Sequence, residues 1–135
     1  MTPTRALVVD DNAMNIELVT FVLEADGFVV EAAADAGQAA ARLGAFRPDV
    51  ILMDIQMPGV DGLTFTRQLK ADVATRHIVV VALTAYAMKG DEAKARAAGC
   101  DGYLSKPIDV GSFAASVRSC IADAGGANAG PPGPR

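Results

Sequence analysis

The sequence predicts an α/β fold built on a parallel five-stranded sheet, and two observations carry that prediction. Five short apolar segments recur along the 135-residue chain, at Ala6–Val9, Phe28–Val30, Val50–Met53, Ile78–Leu83 and Tyr103–Leu104, with a helix-length stretch between each and the next. Three of them, ALVV, VILM and IVVVAL, are unbroken rather than alternating in polarity, as in strands buried on both faces of a parallel sheet. Strand and helix therefore alternate five times, with no other internal repeat.

Each element has its own boundary signals. The first strand runs into Asp10-Asp11-Asn12, where Asn12 suits a helix cap, and the first helix ends at Asp26-Gly27. The second strand is followed by Glu31 and then alanines, which sets it apart from any polar cluster. Asp35 and Gln38 form a capping-box pair before AAARL. The third strand delivers Asp54, Pro58-Gly59 turn the chain, and Asp61 is placed to cap the third helix. The fourth strand leads to Thr84, and Gly99 closes the helix that follows. The fifth runs into Ser105, Lys106 and Pro107, and Asp109 is placed to cap the last helix. On that helix Val110, Phe113, Ala114, Val117 and Ile121 share one face, which predicts that it lies on the sheet. Residues 1–123 thus read as one domain. Residues 124–135, AGGANAGPPGPR, have little to bury and contain both helix breakers, so a disordered tail is expected.

Composition narrows the classes of function. A formal charge of −4 opposes the basic surface that a nucleic-acid binder uses to neutralise phosphates. Cys100 and Cys120 sit among apolar or small neighbours and read as reduced thiols. No apolar run approaches the length of a signal peptide core or a membrane helix, so a cytoplasmic protein without membrane contact is expected. His77, the single histidine, reads as a surface residue at a loop-to-strand junction.

In a parallel sheet the C-terminal strand ends share one edge, where open α/β sheets hold their ligands. The residues following the strands here are Asp10, Asp11, Asp54, Thr84 and Lys106. Crowded carboxylates destabilise a fold unless a cation sits among them, and a hard divalent ion bound by oxygen suits three acids, Mg²⁺ best because it keeps waters and a phosphate oxygen. Lys106 in its charged form cannot ligate a metal but can pair with an anion beside it. A carboxylate can accept a phosphoryl group, catalysis coming mostly from positioning and charge neutralisation. Asp54, alone at its strand end, is the candidate nucleophile.

These residues carry a resemblance. The segments VVDDNAMN, VILMDIQMPGVDG, ALTAYAMKGD and AGCDGYLSKPI resemble the CheY-like receiver domain of two-component response regulators, from Arg5 to about Ile121. The resemblance implies the flavodoxin-like, doubly wound (βα)5 fold with strand order 2-1-3-4-5, the order known for that fold. It implies Asp54 as phosphoacceptor and Mg²⁺ (or Mn²⁺) held by Asp10, Asp11, Asp54 and the main-chain carbonyl of Gln56. Thr84 and Lys106 would contact phosphoryl oxygens, and the Lys106-Pro107 bond would be cis. Thr84 and Tyr103 would switch the surface of the fourth helix, fifth strand and fifth helix on phosphorylation. Gln56 and Tyr86 occupy positions that tune phosphoryl lifetime. The donor would be a phosphohistidine on a histidine kinase or histidine phosphotransfer protein, and the output contact with a downstream protein, or phosphate shuttling in a phosphorelay. TAYAMKGD and KPI resemble DivK-like single-domain receivers and the receivers of hybrid kinases. Such a domain catalyses only its own phosphorylation and dephosphorylation.

Bland readings exist for each residue alone: Asp10-Asp11-Asn12 as a helix cap, Asp54 as a loop acid, Thr84 as a strand-end hydroxyl, Lys106 as a solvated cation, Tyr103 as core. Their joint placement at one sheet edge favours a site. The competing function is a small Mg²⁺-dependent phosphatase that also forms an aspartyl phosphate, as in haloacid-dehalogenase-like enzymes. Those carry D-x-D after the first strand where this chain has D-D-N, and they usually need a cap domain and a substrate pocket.

Overall fold

The structure, a computed structural model, describes residues 3–55, 62–84, 90–105 and 108–128. Along the chain run β1 (Arg5–Val9), α1 (Ala13–Ala25), β2 (Val29–Ala33), α2 (Ala36–Phe46), β3 (Val50–Asp54), α3 (Gly62–Ala71), β4 (Val79–Thr84), α4 (Asp91–Ala98), β5 (Gly102–Ser105) and α5 (Phe113–Asn128). The strands form one parallel sheet in the order β2-β1-β3-β4-β5, the order that the family resemblance implies.

The unbroken apolar strands are the central ones. Every residue of β3 and β4 is buried, whereas the edge strand β2 alternates exposed and half-buried positions before Ala33. Side chains of successive strand residues point to opposite faces, and two cores result. Leu7, Val9, Ile51, Met53, Val80 and Ala82 pack with α2, α3 and α4. Ala6, Val8, Val50, Leu52, Val81 and Leu83 pack with α1 and α5. Each fully buried aliphatic side chain contributes roughly 1.5–3 kcal/mol of transfer free energy, so burial on both faces is what holds the sheet whose edge carries the acids.

The caps behave as their chemistry requires. The Asn12 side chain accepts from the N–H groups of Met14 and Asn15 at 2.9 and 3.1 Å, satisfying two otherwise orphaned donors of α1. Asp35 accepts from the N–H of Gln38 at 2.8 Å, but the Gln38 side chain reaches the N–H of Ala34 at 2.9 Å rather than that of Asp35. The box is thus one residue wider than the standard motif. Asp61 lies outside the described residues. On the far side of the molecule Arg118 of α5 bonds the Asp26 carboxylate at 2.5 Å and the Asp26 carbonyl at 2.7 Å, with its guanidinium 4.3 Å from the Phe28 ring centre. This ties α5 to the turn between α1 and β2.

Three expectations need correction. Val110 is not on the sheet face of α5: it is 55% exposed. The carbonyl of Asp109 accepts from Ser112 and Phe113, so residues 110–112 form a turn before the helix and Val110 falls outside its periodicity. The helix also does not stop at Asp123. It continues to Asn128 despite the glycines at 125 and 126, and Ala124 is buried in the core shared by α1 and α5. Glu31 lies inside β2 rather than after it, ion-paired with Arg42 of α2 at 3.4 Å.

Candidate functional site

The sheet register assembles the site. Val9 pairs with Met53 across β1 and β3, so the next residue of each chain segment, Asp10 and Asp54, emerges at neighbouring strand ends. Asp54 in turn sits beside Leu83, and Thr84 beside Ser105. The N–H of Ile55 donates to the carbonyl of Leu83 at 3.1 Å, extending the ladder one residue past Asp54 and fixing the backbone that carries it.

Oxygen atoms of Asp10, Asp11 and Asp54 all lie within 4.8 Å of one another. Asp10 and Asp54 are buried, at 1% and 5% exposure, while Asp11 faces solvent. Asp10 is held from two sides: its main-chain N–H donates to the Ala33 carbonyl at 3.1 Å, and its Oδ1 accepts from the N–H of Asn12 at 2.9 Å. Like charges this close repel, by about 1 kcal/mol per pair in a high dielectric and by more where both partners are buried. Nothing in hydrophobic packing requires three acids at one strand edge. The all-oxygen, anionic donor set fits a hard divalent cation such as Mg²⁺, which binds through carboxylates plus waters and phosphate oxygens.

Thr84 is fully buried at the end of β4. Tyr103 is half-buried in β5, beside Ala82, and packs against the core on the α4 side of the sheet. The structure therefore brings Asp10, Asp11 and Asp54 together and sets Thr84 on the same edge. Gln56, Tyr86, Lys106 and Pro107 lie outside the described residues, and so does the expected cis bond.

Sequence reasoning missed two features of this edge. One is β2, whose last carbonyl anchors Asp10 even though no polar side chain announces it. The other is Gly62, the first residue of α3. A Cβ there would stand 3.0 Å from the Asp54 carbonyl oxygen, 3.1 Å from Met53 Cγ and 3.2 Å from Ile55 Cα. The helix rests on the strand end closely enough that a side chain at this position would have to push one of these atoms aside by a few tenths of an ångström. The available signal was a glycine at the start of a helix, eight positions after the isolated acid.

Hollows of about 420 and 500 Å³ open elsewhere, one lined by Leu43, Arg47, His77 and Ile78 among others, the next by Lys70, Arg76, His77, Gly99 and Asp101. Their linings come from residues that precede β3, β4 and β5, so both lie at the opposite edge of the sheet from the carboxylates. His77 is exposed there. Both cysteines are free thiols. Among the described residues no helix is long and apolar enough to cross a membrane.

Comparison with known proteins gives one consistent answer. The family model described as the response regulator receiver domain matches residues 6–118. The polar-differentiation response regulator DivK of Brucella anthropi is 43% identical over 122 residues, covering 90% of this chain and 99% of that protein. Among solved structures, the receiver domain of a sensor histidine kinase from Pseudomonas aeruginosa, which has a magnesium ion coordinated in its active site cleft, superposes with a TM-score of 0.79 at 32% identity. That match covers 90% of this chain and 99% of the other. The chemotaxis response regulator CheY4 of Vibrio cholerae gives a TM-score of 0.81 at 27% identity over 88% of this chain and 99% of its own.

Proposed function

The chain belongs to the response regulator receiver domain family, and on that premise we propose that Asp54 is the residue through which it takes up a phosphoryl group from a histidine kinase or a histidine phosphotransfer protein. One observation carries the assignment: Asp54 is buried at a strand end with the carboxylates of Asp10 and Asp11 within 4.8 Å. A carboxylate oxygen of Asp54 attacks phosphorus in line with the phosphohistidine. The new O–P bond forms as the P–N bond breaks, and the imidazole leaves with the electron pair and takes up a proton.

Asp10, Asp11, Asp54 and the carbonyl of Gln56 would hold Mg²⁺, or Mn²⁺ in its place, which supplies charge neutralisation at the transferring group. Thr84 donates to one phosphoryl oxygen and Lys106 pairs with another. Gln56 and Tyr86 govern how water reaches the acyl phosphate and so its lifetime. The fully buried Thr84 and the half-buried Tyr103 are the moving parts. Thr84 shifts toward the phosphate, Tyr103 turns inward, and the surface of α4, β5 and α5 is remodelled for a downstream protein in the cytoplasm. Such a device biases an existing equilibrium, with a coupling of about 1–3 kcal/mol.

The phosphatase alternative needs a substrate pocket at the carboxylates; among the described residues the two larger hollows, of about 420 and 500 Å³, lie at the other edge, and the one beside Ser105 is only about 110 Å³. The test is intact mass after exposure to acetyl phosphate and Mg²⁺. We expect one phosphoryl adduct that EDTA prevents and that Asp54→Asn abolishes; an adduct that persists in Asp54→Asn overturns the assignment.

A further inference from the structure

We infer that Gly62 and Thr66, one helical turn apart in α3, are positioning residues for Asp54; the inference rests on Asp54 being the phosphoacceptor. Two of the three atoms that crowd Gly62, the Asp54 carbonyl oxygen and Ile55 Cα, belong to the main chain on the C-terminal side of the acid. They cannot give way without moving Asp54 itself. Met53 Cγ, the third, is in a fully buried side chain. The start of α3 is thus a strut behind the acceptor.

Thr66 holds the strut in place. It is fully buried, and its hydroxyl donates to the Gly62 carbonyl at 2.9 Å. The same oxygen accepts from the thiol of Cys100, in the turn between α4 and β5, at 3.9 Å. A hydroxyl has one proton and two lone pairs, so both bonds form together. Contacts therefore run from Cys100 through Thr66 and Gly62 to the backbone of Asp54, and none of the three belongs to the carboxylate cluster.

Gly62→Ala is expected to slow phosphorylation, but it can also disturb folding, so a pair of variants at Thr66 carries the test. Thr66→Val keeps the volume and loses the hydroxyl; Thr66→Ser keeps the hydroxyl and loses a buried methyl. Tm, the rate of adduct formation with acetyl phosphate and Mg²⁺, and the amide resonances of Asp54 and Ile55 are measured for each. We expect Thr66→Ser to melt lower yet react at close to the wild-type rate. Thr66→Val should react roughly three- to tenfold more slowly, the factor expected for one lost hydrogen bond, and shift both amide resonances. A Thr66→Val protein as fast as wild type, or a Thr66→Ser protein that slows in proportion to its lower Tm, overturns the inference alone. A wild-type protein that takes no adduct overturns the functional reading and this inference with it.

Discussion

The main-chain N–H of Asp10 is bonded to the carbonyl of Ala33 at 3.1 Å, so the edge strand β2 holds one of the clustered acids in place. Ala33 is itself 2% exposed and packs in the core with Leu7, Val9 and α2. Enlarging it by Ala33→Leu should overpack that core, at a cost of about 1–3 kcal/mol, and displace the carbonyl that anchors Asp10. Thermal unfolding with and without Mg²⁺ checks this: the variant should melt lower and lose part of the stabilisation that Mg²⁺ confers on the wild type. A full Mg²⁺ response in a destabilised Ala33→Leu protein would mean that β2 does not hold the acid.

Asp11 is the solvent-facing member of the cluster, so its removal relieves repulsion with little loss of packing. Asp11→Asn should raise the metal-free Tm by a few degrees, corresponding to about 1 kcal/mol for a like-charge pair in a high dielectric. Calorimetric titration should show weaker Mg²⁺ binding in the same protein. Unchanged Mg²⁺ affinity would remove Asp11 from the proposed ligand set.

Away from the site, Lys70 at the end of α3 donates to the Asp101 carboxylate at 2.7 Å and to the carbonyls of Ile78 and Arg76 at 2.7 and 3.2 Å, while Asp101 also accepts from the N–H of Val80. The pair is about one-fifth exposed on each side, at 19% and 19%, so screening is incomplete. Lys70→Met should cost about 2 kcal/mol, the scale of hydrogen bonds to a charged group, without altering the rate of phosphorylation. Gly99→Ala should be costly too. Gly99 has φ of 109° and a Cβ there would lie 2.7 Å from Lys70 Cγ. Denaturant melts of the two variants, paired with adduct formation at low temperature, separate stability from chemistry.

The cysteines give a pH-dependent prediction. Burial pushes the thiols of Cys100 and Cys120 above the ordinary cysteine range, with Asp101 adding to the rise at Cys100 and Asp123 at Cys120. The thiolate is the reactive form, so both should alkylate more slowly than a free thiol at neutral pH, Cys120 before the buried Cys100. Because the folded pKa lies above the unfolded one, the folded state binds the proton more tightly. Any stability this confers is complete below the unfolded thiol pKa and declines as pH rises from there through the raised folded value. Alkylation followed by mass spectrometry across that range reads the order directly.

Sequence patterning exposed the fold well where burial dictated residue type. The runs ALVV, VILM and IVVVAL had to be apolar on both faces, and they became β1, β3 and β4, the three inner strands. The acids Asp10, Asp11 and Asp54 were legible because strand ends of a parallel sheet meet at one edge. What escaped was carried by groups that side-chain identity does not reveal. The Ala33 carbonyl is main chain, and the space at Gly62 is set by how closely α3 approaches Asp54. Val110 was misplaced because the periodicity of α5 was extended one turn too early, into a turn closed by the Asp109 carbonyl. The burial of Ala124, one residue past the expected end of the domain, is a tertiary contact that local composition does not encode.

Borohydride trapping tests the central claim most directly, since it reduces an aspartyl phosphate to homoserine and so marks the residue that carried the phosphoryl group. After treatment with acetyl phosphate and Mg²⁺, peptide mass mapping should find that conversion at Asp54 and at no other acid. Conversion at Asp10, Asp11 or any other carboxylate, with Asp54 unmodified, would contradict the account.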